Sequence, residues 1–272
     1  EAMGQNRLWG TEGEGYTTFN YVVDEVDGGT IGMQAGSTFK IFTIANALEK
    51  GINPYQSINA TDGLYFPASN WGCPDKDFES FVGENSTQSG KFDMWQATAY
   101  STNTYFLQRE KDSGLCDVVK MAERAGVHTA TGDPLVPNIS FTLGTTEVSP
   151  LTVANSYATF AAHGLACEPR SITSVVDRNQ SILDVPPVCN QTIPADVADA
   201  TTAILTGVVD GDISGRTGQA MSIGRETTGK TGTTDSSAAV WYAGYTPNLA
   251  AAVWVGDRRG GFEYPMRNVT NN

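Results

Sequence analysis

From Ser37 to Lys50 the apolar residues at 39, 41, 42, 45 and 48 fall mostly on one face of a helix, and Gly51 follows as a stop signal. This spacing predicts a buried helix. The same period predicts helices over Phe92–Arg109, Asp117–Ala125, Pro150–Ala162 (with its proline in the first turn) and Ala195–Val208. Toward the C-terminus the pattern changes. SSAAVWYAGYTPNLAAAVWVG (236–256) reads as two apolar strands joined by a turn at Pro247-Asn248, pairing antiparallel. An earlier strand, Tyr16–Val23, precedes an Asp-Gly-Gly turn. Residues 55–91, rich in Gly, Ser, Asn and Pro, read as extended surface loop. No internal repeat or low-complexity tract interrupts the series. The architecture this predicts is α/β (α+β): a helical half joined to an antiparallel-sheet half.

Composition narrows the function classes. The 272 residues suit one large domain or two subdomains sharing a core, and 40% hydrophobic with 17% charged content is ordinary for a globular protein. No run of about 18 apolar residues, the length needed to span a bilayer, is present. A net charge of −13, with 17 basic residues that form no cluster, argues against nucleic acid as a partner. The only histidines are His128 and His163, and Cys73, Cys116, Cys167 and Cys189 form no CxxC pair, so neither a zinc site nor any other metal or cofactor is implied. The even cysteine count fits two disulfides in an oxidising compartment; four separate buried thiols are the alternative. Cys167 and Cys189 bracket a segment that reads as a hairpin closed at its base. That pairs them and leaves Cys73 with Cys116.

Three short segments carry candidate chemistry. In Ser37-Thr38-Phe39-Lys40, a serine at a helix N-terminus meets backbone N–H groups that favour developing negative charge, and Gly36 permits the tight entry. Lys40, three residues on, lies on the same face and serves as general base if burial or a second cation lowers its pKa. Alone, Ser-x-x-Lys also describes an ordinary N-cap followed by a surface lysine; here Lys40 stands among Phe39, Ile41 and Phe42. Ser101-Thr102-Asn103 lies within apolar flanks, where buried polar groups need partners, and suggests a loop or helix break opening on a cleft. Turn groups satisfied by local backbone are the plainer alternative. Lys230-Thr231-Gly232-Thr233-Thr234 begins a polar strand with Lys230, Gly232 and Thr234 on one face and Thr231 and Thr233 on the other. A lysine with strand hydroxyls suits a terminal carboxylate, Gly232 admits a close ligand or backbone, and a solvent-facing strand is the alternative.

Together these segments resemble the penicillin-binding proteins, specifically the transpeptidase domain of bifunctional, high-molecular-mass class A members. The resemblance runs through QAGSTFKIFTIANALEKG, STNTYF, FTLGTTEVSPLTVANSYATFAAHG and GRETTGKTGTTDSSAAVWYAGYTPNLAAAVWVG, so residues 1–272 are expected to form that domain. The phrase MRNVT near the end and the paired cysteines are similar to actinobacterial members. The implied fold is that of penicillin-binding proteins and serine β-lactamases, with the active site between sheet and helical subdomain. The implied reaction is DD-transpeptidation of peptidoglycan stem peptides, a D-Ala-D-Ala donor and an amine acceptor, with β-lactams acylating Ser37. Lys40 is then the base, Ser101 the proton relay and Asn103 an amide contact. Lys230 sets the site's electrostatics, Thr231 and Thr233 bind the carboxylate with Gly232 and Thr234 beside them, and the Ser37 and Thr233 amides form the oxyanion hole. Members of the family begin this domain with a strand upstream of EAMGQNRLWG, which reads here as the second strand. The chain is therefore expected to be a fragment without glycosyltransferase domain and membrane anchor, from a protein anchored at the extracytoplasmic membrane face.

The rival functions are a DD-carboxypeptidase, a β-lactamase or a β-lactam sensor. A class A β-lactamase would carry Glu-x-x-Leu-Asn between the second and third motifs, and none occurs between Asn103 and Lys230. The Asn-x-Ser/Thr sequons at Asn85 and Asn268 read as chance occurrences in a bacterial wall enzyme.

Overall fold

A computed structural model describes residues 2–234, 238–257 and 263–266. At its centre runs helix α1 (Lys40–Glu49), buried on every side from Lys40 to Ala47, as a helix apolar around most of its circumference must be. It continues directly from a 3-10 turn over Gly36–Phe39 that contains Ser37. Around it pack α3 (Asn103–Ser113), α4 (Leu115–Arg124) and α6 (Ala195–Val209), with α2 (Met94–Tyr100) against α6. Helix α5 (Pro150–Ala161) starts with Pro150 in its first turn and is capped by the Ser149 hydroxyl, which accepts from the Thr152 amide at 3.2 Å.

The sheet half consists of three antiparallel strands. Strand β1 (Thr228–Thr233) pairs with β2 (Ala239–Thr246), and β2 with β3 (Leu249–Gly256) across the expected Pro247-Asn248 turn. Helix α6 lies against β1, and α5 against β2 and β3. One apolar cluster joins both halves: Phe39, Phe42 and Ile44 of α1, Phe141, Tyr157, Phe160 and Leu205 all belong to it, together with Trp241 and Tyr245 of β2. The fold is that of the α+β expectation.

Several sequence expectations are corrected. The helix expected over Phe92–Arg109 is two helices, broken at Ser101 and Thr102, where the polar triplet suggested a helix break. Their side chains are engaged elsewhere, Ser101 Oγ with Lys40 and Lys230 and Thr102 Oγ1 with the Gln88 carbonyl at 3.3 Å, and both residues turn away from helical geometry, Ser101 to the left-handed region and Thr102 to extended backbone. Residues 55–91 are not wholly loop: Ile58–Ala60 pairs with Gly90–Phe92, and Leu64–Phe66 with Phe81–Gly83. The expected strand over Tyr16–Val23 divides into Tyr16–Thr17 and Asn20–Asp24. EAMGQNRLWG does not supply a second strand of the main sheet; its Leu8–Trp9 makes a two-residue parallel pairing with Tyr16–Thr17. Both disulfides are those expected, Cys73–Cys116 and Cys167–Cys189. The latter joins paired positions at the base of a protruding hairpin. The sequon at Asn268 and the MRNVT phrase after Met266 lie outside the described residues.

Candidate active site

The turn that carries Ser37 is held from several sides. Gly36 lies at φ +59°, a conformation that favours glycine, and a Cβ there would stand 3.0 Å from both N and O of Thr233. The nucleophile turn and β1 therefore touch through backbone. Trp241 donates its indole N–H to the Gln34 carbonyl at 2.8 Å, and Tyr157 its hydroxyl to the Thr38 carbonyl at 2.8 Å. Behind the turn, Gly36 N–H donates to the Gly144 carbonyl at 3.1 Å, and the Phe39 and Phe141 rings meet edge to face. Ser37 itself is half-buried, with its Oγ making no hydrogen bond among the described residues.

Lys40 is fully buried, and its Nζ lies 2.7 Å from the Ser101 carbonyl, 2.7 Å from Asn103 Oδ1 and 3.1 Å from Ser101 Oγ. From the opposite side Lys230, also fully buried, donates its Nζ to the same Ser101 Oγ at 2.8 Å and to the Thr231 carbonyl at 3.0 Å. One serine hydroxyl thus stands between two amines. Burial, and then the charge of Lys230, hold the Lys40 pKa well below the usual lysine value, and burial lowers that of Lys230 to about 7. An ammonium can only donate, whereas a neutral amine offers a lone pair that a serine hydroxyl can donate to. Amine, hydroxyl and amine therefore stand in line at hydrogen-bond distance, an arrangement able to pass a proton along it.

This constellation is assembled from the 3-10 turn, the α2–α3 break and β1. A family model described as the penicillin binding protein transpeptidase domain matches residues 30–258. The chain belongs to that family. The transpeptidase domain is 32% identical over 256 residues to penicillin-binding protein 1A of Mycobacterium tuberculosis, covering 84% of this chain and 29% of that protein. With penicillin-binding protein 1A of Aquifex aeolicus it shares 30% over 244 residues, covering 89% of the chain and 31% of the relative. It thus spans about a third of the length of these relatives. Among solved structures, PonA1 of M. tuberculosis in complex with penicillin V superposes with a TM-score of 0.66 at 29% identity, covering 84% of this chain and 61% of that one. Penicillin-binding protein 1A of Haemophilus influenzae, at 23% identity, shares the fold with a TM-score of 0.71, covering 83% of this chain and 38% of that chain.

Within the transpeptidase domain, the remaining expected site residues divide. Asn103 links two elements, receiving Lys40 on its Oδ1 and donating Nδ2 to the Glu84 carbonyl at 3.0 Å. Thr231 and Thr233 occupy the more open face of β1, half-buried and exposed respectively, while Lys230 and Gly232 face inward. Gly232 makes room for protein rather than ligand: a Cβ there would lie 2.7 Å from the Ala35 carbonyl and 3.0 Å from Thr38 Cγ2. Thr234 departs from the set. Its hydroxyl accepts the Ala239 amide at 2.8 Å and its own amide donates to the Ala239 carbonyl, so it closes the β1–β2 connection.

Two residues outside the motifs build the site. Asn85 Oδ1 accepts the Thr104 amide at 2.9 Å and the Thr104 hydroxyl at 3.1 Å, capping the start of α3 from a distant loop, and its Nδ2 donates to Ala60 O and Ser89 Oγ. The amide of that sequon is thus fully engaged, in keeping with a chance occurrence. Thr217, in the segment between α6 and β1, accepts the Thr231 hydroxyl at 2.8 Å and donates its amide to Ala99 O at 2.9 Å. No local spacing marks either residue, because each acts through a partner far away in sequence.

Proposed function

We propose that this domain is a serine-type DD-transpeptidase of peptidoglycan cross-linking, acylated on Ser37 by stem peptides ending in D-Ala-D-Ala and, alternatively, by β-lactams. The observation that carries this reading is the meeting on Ser101 Oγ of two buried amines, one of which, Lys40, lies one turn along the chain from Ser37. Neutral Lys40 takes the Ser37 Oγ proton as that oxygen attacks the penultimate D-Ala carbonyl. The oxyanion forms between the Ser37 and Thr233 amides, a placement supported by the backbone contact of Gly36 with Thr233. As the C–N bond breaks, the proton passes from Lys40 through Ser101 to the leaving D-alanine amine, leaving an ester on Ser37. An amine of a neighbouring stem then attacks the ester and gives up a proton along the reverse route, which restores the Ser37 hydroxyl. Asn103 holds the substrate amide, and Thr231 and Thr233 its carboxylate, beside Gly232. The two disulfides support an oxidising, extracytoplasmic location, and among the described residues no helix is long and apolar enough to cross a membrane. A membrane anchor and a glycosyltransferase domain in the full protein are part of the same proposal.

Intact-protein mass after mixing with benzylpenicillin tests the reading. Wild type should gain the mass of one drug and keep it for hours, and Ser37→Ala should gain nothing. An adduct that decays within seconds with drug turnover would indicate a β-lactamase, and an adduct on the alanine variant would displace the nucleophile from Ser37.

A further inference from the structure

Thr217 lies in none of the three motifs, yet it is the point at which two of them are tied together. Its amide bonds to Ala99, two residues before Ser101, and its hydroxyl to Thr231, next to Lys230. The segment that carries it is fixed: Arg216 turns its guanidinium back onto its own loop, donating to the Val209 carbonyl at 3.1 Å and the Ile213 carbonyl at 3.3 Å. Arg216 is thereby aimed at backbone rather than at the open face of β1. Lys230 is likewise engaged with Ser101 and with the Thr231 carbonyl. A carboxylate arriving at Thr231 is therefore met chiefly by hydroxyl dipoles, and their orientation decides how well it is held.

A hydroxyl has one proton to donate, and a carboxylate only accepts. Without ligand, Thr231 gives its proton to Thr217. To bind a carboxylate it must turn that proton outward and become an acceptor on its inner side. The geometry of the 2.8 Å bond suits Thr231 as its donor, so Thr217 reverses its role by rotating its side chain to aim its own hydroxyl at Thr231. The resulting chain, Thr217 to Thr231 to carboxylate, polarises in one sense, and each bond strengthens the next. We propose that Thr217 is a positioning residue for carboxylate recognition, supplying the reversible hydroxyl partner that lets Thr231 donate to the substrate. The proposal rests on the reading of Thr231 as a carboxylate contact.

The test is the acylation kinetics of Thr217→Val, which keeps the shape and removes the hydroxyl, and of Thr217→Ser, which restores it. Benzylpenicillin is compared with its methyl ester, separating the dissociation constant of the non-covalent complex from the acylation rate constant. For benzylpenicillin, Thr217→Val should raise the dissociation constant up to about tenfold, the upper size of one neutral hydrogen bond, and leave the acylation rate constant within twofold. The serine variant should match wild type, and with the ester all three should agree. An equal penalty for acid and ester, a loss confined to the acylation step, or no penalty would each overturn the proposal. Thr231→Val separates this from the underlying reading. If it shows no preference for losing the acid, the carboxylate assignment falls and the proposal with it; if it does while Thr217→Val does not, only the role of Thr217 falls.

Discussion

Ser101 pays for its position with backbone strain, standing at φ +59° in the region that a side chain with a Cβ disfavours by about 1–2 kcal/mol. The strain persists because its hydroxyl is the common partner of Lys40 and Lys230. Function and stability therefore pull apart at this residue. Ser101→Gly and Ser101→Ala both remove the hydroxyl and should lower the acylation rate at least a hundredfold, yet the glycine variant should melt above the alanine variant by the equivalent of about 1 kcal/mol. Thermal unfolding of the two, side by side, checks this; equal melting temperatures would show that the strain is not carried by the backbone. The same residues show how legible the site was. Ser37 and Lys40 sit one turn apart, and Ser101 and Asn103 stand out as polar groups among apolar neighbours, so local spacing revealed them. Thr217 reaches Thr231 across 14 positions and Asn85 reaches Thr104 across 19, with nothing in either stretch to announce the pairing.

Among the elements, long apolar segments were the readable ones. The pair β2 and β3 with its Pro-Asn turn and the helices α5 and α6 follow from period and punctuation alone. The α2–α3 break was less readable, because apolar spacing continues through it and only the polar triplet interrupts. The short strands between 58 and 92 escaped because three residues are too few to show alternation. The disulfides differ in what they restrain. Cys167–Cys189 closes 22 positions around a hairpin, Ser174–Val176 with Ile182–Asp184, whose strands are exposed throughout. Cys73–Cys116 closes 43 positions and ties the loop holding buried Trp71 to α4. Chain entropy assigns them about 3 and about 4 kcal/mol respectively. Replacing Cys167 and Cys189 together by serine should lower the denaturant midpoint while leaving penicillin acylation within twofold. The same replacement at Cys73 and Cys116 should lower the midpoint further, because buried Cys73 would also carry a hydroxyl into the core. A hairpin pair whose loss abolished acylation would contradict its isolation from the site.

For the molecule as a whole, two fully buried lysines make the fold more stable in alkaline than in neutral conditions. Lys230 titrates at about 7 when folded and at the ordinary 10.5 when unfolded, so between those values the unfolded chain binds more protons and stability rises with pH. Lys40, lowered in the same direction, adds to the slope. Urea unfolding at pH 7 and pH 9 should show wild type gaining stability relative to Lys230→Met as the pH is raised; parallel curves would mean that Lys230 keeps its ordinary pKa. Ser37, Ser101 and Lys230 also come from far-separated parts of the chain, and they meet only when the sheet has closed on the helices. No piece ending before β1 contains the cluster, and a collapsed chain with β1 undocked has the residues without their meeting point. Covalent drug uptake therefore acts as a headcount: the fraction of molecules labelled in a preparation is the fraction that has finished folding.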